Sequence, residues 1–282
     1  MQKTAMNDIH ADTSNDQVLK IFIGWSGKDS ASHRTAEALK VLISCQSPAE
    51  IDVFVSSDNL HVGDYWFPKV RKAAANADLG IFCIIPERAS SEWIHYEAGL
   101  VENSMGYEYG KPPRRETDAS RIFPLLLAGA REEHLINSPI KHSQLLRLSS
   151  PDNADEAEKL KEFIRHLCKQ SCERKVDNPF NDVVFNRRWK GSWNAFVDAC
   201  GESIRDTFNQ QQKIIEDYNS FERELWNLVK RCEVPEEFLK RFRDAIRLNR
   251  LDLGEVAEVF GYAQKLLEMQ QKTNLGHEAN IT

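Results

Sequence analysis

The chain has 282 residues, with 37 Lys and Arg against 43 Asp and Glu and a formal charge of −6. That length holds one large domain or two modest ones. The mildly acidic balance excludes a global electrostatic case for nucleic acid or an anionic membrane as partner, and no apolar run approaches the ~18 residues of a membrane span.

The opening stretch, MQKTAMNDIHADTSNDQ, is polar and lacks the apolar core of a signal peptide. Residues 1–17 read as a flexible tail, and the expected location is cytoplasmic. LKIFIGW (19–25) is a β-branched and aromatic run closed by glycine, hence a strand. DSASHRTAEALKVLIS (29–44) follows as a helix, with Asp29 the expected N-cap. IDVFVSS (51–57) reads as a second strand, and GDYWFPKVRKAAANA (63–77) as a loop entering a short helix. DLGIFCIIP (78–86) is an unbroken apolar run stopped by proline, as in a strand covered on both faces. SSEWIHYEAGLV (90–101) has two serines for a cap, an acid in its first turn and apolar residues at helical spacing. After a polar loop over 105–120, RIFPLLLAG (121–129) and SQLLRLSS (143–150) are two more strands. This alternation predicts an α/β fold, a doubly wound parallel sheet of five strands over 18–150.

Beyond residue 150 the strand patterns stop, and 151–273 reads as an all-helical region for sensing or oligomerisation, with 274–282 a flexible tail. Helices are expected over 152–174, 186–208, 210–232, 235–249 and 252–272. Trp189, Trp193, Phe196, Cys200, Ile204 and Phe208 form one stripe of the second. Lys240, Arg243, Arg247 and Arg250 make a basic stripe, which is either a solvated face or a docking strip for nucleic acid or a partner protein. The six cysteines have no CxxC spacing and read as reduced, mostly buried thiols. No zinc-ligand pattern is found.

In a doubly wound sheet the ligand crevice lies outside the carboxyl ends of the strands, at the switch point of strand order. Gly24–Asp29 and Pro86–Glu97 fall there. The loop of Trp25, Ser26, Gly27, Lys28 and Asp29 runs into a helix start, whose amides suit a phosphate. It lacks the spacing of a Walker loop and of GxGxxG. Trp25 stacks on a base or joins the core. Glu97 is a solvated helix residue or a piece of chemistry, and Trp93, one turn before it, packs between helix and sheet or walls a nucleotide. Asp58, Tyr65, Trp66 and Phe67 gather in a loop more aromatic than its exposure requires, which suggests ring stacking or a protein contact.

Three segments together resemble the Toll/interleukin-1 receptor (TIR) domain family in its bacterial form. KIFIGWSGKDS is similar to its first strand and loop, VSSDNLHVGDYW to its second strand and BB loop, and SSEWIHYEAG to its third-helix signature. The last of these, Trp93-x3-Glu97-Ala98-Gly99, is the most specific. The resemblance covers about 18–150 and implies a flavodoxin-like sheet. It also implies cleavage of the nicotinamide–ribose bond of NAD, with NAD as substrate, no further cofactor, and Glu97 catalytic. Trp25 to Asp29, Asp58, Trp66 and Trp93 would then hold the nucleotide. Self-association through the BB-like loop (58–67) and a role in anti-phage defence are further implications. Two other readings stay open: a non-catalytic adaptor, and a nucleoside deoxyribosyltransferase-like enzyme using a glutamate nucleophile.

Overall fold

A computed structural model describes residues 18–47, 51–56, 66–103, 121–135, 138–174 and 179–232. Asp58, Tyr65, the basic stripe from Lys240 to Arg250 and the last two expected helices lie outside these residues. The chain divides into two compact units, Met1–Asn209 and Gln210–Thr282.

Five strands, β1 (Leu19–Gly24), β2 (Ile51–Val55), β3 (Leu79–Ile84), β4 (Ile122–Leu127) and β5 (Leu146–Leu148), form one sheet in the order β2-β1-β3-β4-β5. Every pairing is parallel. The predicted fold class is therefore observed: a doubly wound five-stranded parallel sheet followed by a helical region. Alternating strand residues feed two apolar layers. On one face Leu19, Ile21, Ile23, Ile81 and Leu125 pack with α1 (Ala31–Gln46), α4 (Ala154–Glu173) and residues of α5 (Asp182–Cys232) such as Phe185, Phe196 and Ile204. On the other, Phe22, Phe82, Ile84 and Leu126 meet α2 (Trp66–Asn76) and α3 (Glu92–Asn103). Burial on both faces explains why β3 shows no polar alternation: all six of its residues are buried.

Two local expectations are corrected. The N-cap of α1 is Ser30, whose hydroxyl accepts from the His33 amide. Asp29 instead takes a left-handed backbone at φ 61°, a conformation that Asp tolerates better than most side chains and that a helix cap does not use. The helices expected over 186–208 and 210–232 are one continuous helix, α5, of 51 residues. The polar run Asn209-Gln-Gln-Gln212 offers no Gly or Pro to stop it, and glutamine is a good helix former. The expected stripe is observed, with Phe196, Cys200 and Ile204 buried and Trp189, Trp193 and Phe208 packed against the same layer. Cys45, Cys83, Cys168, Cys172 and Cys200 are free, and of these all but Cys45 are buried. No helix among the described residues is long and apolar enough to cross a membrane.

Candidate active site

The strand order reverses between β1 and β3, which pair directly through Ile21–Gly24 and Leu79–Phe82. Their onward loops, 25–30 and 85–91, leave in the same direction, on the side where doubly wound sheets hold their ligands.

Glu97 stands on α3. Ile94, Ala98 and Val101 of that helix fill the apolar layer over Phe22 and Phe82. Glu97 lies three residues after Ile94, so helical spacing turns its carboxylate to the same inner face. The side chain is fully buried, at 0% exposure. It rests on the end of β1: a β-carbon at Gly24 would lie 2.7 Å from Glu97 Oε2 and 2.6 Å from the Phe82 ring. Glycine at position 24 is thus a steric condition for the carboxylate to sit where it does.

Neither Glu97 oxygen has a hydrogen-bond partner among the described residues. Burial raises its pKa well above the ordinary 4.5, and the Trp93 side chain one turn earlier offsets part of the rise. That influence comes from proximity, since no well-formed bond joins the two. His95 does not supply a cation either, because burial lowers its own pKa. A buried carboxylate without a partner is costly, and native structures keep few such groups. Carboxylates of this kind gather at functional sites.

The loop on the β1 wall is held by serines. Ser32 Oγ donates to the Cys83 carbonyl of β3 (2.6 Å) and accepts from the Ser26 amide (3.1 Å). Ser30 Oγ donates to the Ser26 carbonyl, and Ser26 Oγ reaches Ser91 Oγ on the opposite wall at 3.2 Å. Gly27 sits at φ 87°, where a β-carbon would be strained. Lys28 and Asp29 are exposed, and the Asp29 amide donates to His33 Nδ1. Trp25 is stacked on His33, with centroids 3.9 Å apart, and packs against the core layer.

On the outer side of α3, Trp93, Tyr96 and Phe67 of α2 form a group with centroids 5.6–6.0 Å apart. Trp93 is half-buried against the core, while Phe67 and Tyr96 are 39% and 38% exposed. Trp66 opens α2. The structure thus sets Glu97 against Gly24, where the 25–30 loop begins, and places Trp93 one turn earlier in the aromatic group with Phe67 and Tyr96.

Four contributors have roles that escape sequence reasoning. Gly24 is placed at the candidate crevice but without its steric role, and Ser32 and Ser91 appear only as helix-start serines. Arg88 falls inside the candidate stretch Pro86–Glu97 without a role of its own, yet its Nε lies 3.5 Å from where a Gly27 β-carbon would be.

No protein-family model matches the chain, and no curated protein does. Among solved structures, one that is similar is that of the TIR domains of the activated Roq1 resistosome directly recognizing the pathogen effector XopQ. It is 17% identical, with a TM-score of 0.30, and the match covers 71% of this chain and 99% of that one. At that level of superposition the likeness carries no argument about activity, and the fold stands on the strand order itself.

Proposed function

We propose that the chain is an N-glycosidase that hydrolyses the nicotinamide–ribose bond of NAD, with Glu97 as its catalytic residue. The observation that carries this reading is the fully buried, unpartnered Glu97 carboxylate on Gly24 at the switch point. Breaking the C1′–N1 bond sends its electron pair to the pyridinium, so nicotinamide leaves neutral and needs no acid. Positive charge builds on the ribose as an oxocarbenium-like state. A carboxylate fixed beside C1′ stabilises that charge more in the transition state than in the ground state, and a low-dielectric seat strengthens the effect. Water then adds at C1′ and releases its proton to solvent. The loop Trp25–Asp29, at the start of α1, would receive the phosphates, and Trp93 would line the nucleotide.

The resemblance of SSEWIHYEAG to the TIR third-helix signature supports the same residue. It also supports a cytoplasmic, assembly-activated role in anti-phage defence or NAD-derived signalling. A second reading, an adaptor working through protein contacts, is favoured by one observation: the exposed, stacked pair of Phe67 and Tyr96, 5.7 Å apart.

The test is NAD consumption by purified protein at high concentration with a crowding agent, beside Glu97→Gln. Loss of NAD with wild type alone supports the glycosidase. Equal loss with both variants removes Glu97 from the chemistry, and no loss with either favours the adaptor.

A further inference from the structure

We propose that Arg88 is the phosphate-binding residue of this crevice, selecting nucleotides over nucleosides. The inference rests on the glycosidase reading for its substrate class and on separate geometry for its residue.

The short helix Pro86–Arg88 follows β3 and forms the wall opposite the β1 loop. Its backbone closes on itself, with the Arg88 amide donating to the Ile85 carbonyl and the Arg88 carbonyl accepting from the Ser91 amide. The side chain is exposed and is directed across the crevice toward Gly27. Among the described residues its guanidinium makes no hydrogen bond or ion pair. Other arginines of the same unit are engaged: Arg165 with Asp182, Arg174 with Asp78, Arg205 with Asp152. The Asp29 carboxylate, the nearest acid on the β1 loop, lies 4.0 Å from His33 Nδ1.

Gly27 has no side chain, so the Arg88 side chain lies directly against the loop backbone, with its Nε 3.5 Å from the position of a Gly27 β-carbon, and its outer edge is left for an anion. The second marker is Glu97. Its oxygens are buried, unpartnered and lodged on Gly24, where this same loop begins. Gly24 and Gly27 are three residues apart, which limits their separation to roughly 11 Å. A ribose 5′-phosphate is shorter than that upper limit and so fits within it, with C1′ at the Glu97 end and the phosphate at the Arg88 end. A guanidinium matches phosphate oxygens in a two-pronged arrangement that a lysine cannot reproduce.

Equilibrium titration of the full chain with ADP and with adenosine tests this, using wild type, Arg88→Gln and Arg88→Lys. ADP carries the phosphates without the nicotinamide bond, so its binding does not depend on turnover. The expected result is ADP binding weakened about 10- to 100-fold by Arg88→Gln and partly restored by Arg88→Lys, with adenosine unaffected. ADP binding that is undetectable in wild type, or equal in wild type and Arg88→Gln, overturns the proposal. Nicotinamide release from NAD on the same proteins separates the two readings. Arg88-dependent ADP binding without release would reject the glycosidase and keep the anion site. Release with a KM untouched by Arg88→Gln would do the reverse.

Discussion

The two ends of the sheet carry similar residue types and treat them in opposite ways. At the amino end a cleft of about 1300 Å³ is lined by Asp78, Arg121, Phe123, Glu162, His166 and Arg174, among others. There Asp78 Oδ2 accepts from the Lys20 amide (2.8 Å) and Arg174 Nη1 (2.9 Å). Arg121 donates to the carbonyls of Ala77, Asp78 and Val101. At the carboxyl end, Glu97 and Arg88 have no such partners among the described residues. Charges that are satisfied hold strand ends and termini in place, while charges left open at a cost are the ones a ligand completes. The size of a cleft is thus a poorer guide to chemistry here than the state of its polar groups.

The sharpest way to break this contrast is Glu97→Gln. On the glycosidase reading, turnover of NAD falls by on the order of 10³-fold, while the variant becomes more stable by about 1–2 kcal/mol at neutral pH. The sign follows from burial, which raises the folded-state pKa of Glu97 above the unfolded value near 4.5. The carboxyl contributes its full stability below that value and loses it as pH rises toward the folded pKa. The gain in Tm of Glu97→Gln over wild type therefore widens above pH 4.5, as thermal melts across pH would show. On the proposed mechanism kcat/KM climbs with pH along a limb set well above the usual glutamate range, because the ionised form would do the work.

Gly24→Ala comes next. Its methyl would overlap Glu97 Oε2 and the Phe82 ring, so both quantities drop, stability by about 1–3 kcal/mol and turnover by roughly 10- to 100-fold. A melt and an NAD assay on one preparation would show both losses, and an unchanged assay would detach Glu97 from its seat. At the amino end, Asp78→Asn weakens two contacts and is expected to cost about 1–2 kcal/mol by denaturant unfolding. Turnover per folded molecule stays as in wild type, and a change in it would erase the distinction between the ends. Smallest is Lys161→Ala: its ion pair with Glu158, a residue 60% exposed, is worth at most about 0.5 kcal/mol.

How much of this is legible in the chain depends on distance along it. β3 is readable because its apolar run is unbroken, and the α5 stripe because Trp189 to Phe208 keep one helical face. Glu97 stands out through Trp93 and the Ala-Gly pair beside it. The difference at Asp29 comes from competition between two cap-forming residues side by side, decided by the bond from Ser30 to the His33 amide. Gly24 and Glu97 are 73 residues apart by their numbers, and only the pairing of β1 beside β3 under α3 makes them touch. Arg88 is legible only as part of the stretch Pro86–Glu97, because an exposed arginine after a strand has many plain uses and its facing partner belongs to another loop.

The serine ties of the β1 loop have a consequence for timing. Ser26 lies in a connecting segment, yet its amide is bonded to Ser32 Oγ, which is itself anchored to the Cys83 carbonyl of β3. Its hydrogen should exchange with solvent as slowly as a strand amide, before any ligand is present. A loop already fixed would pay little ordering entropy on receiving the proposed nucleotide. Association would then be governed by encounter with a preorganised crevice, and residence time by how firmly the open charges at its two ends are answered.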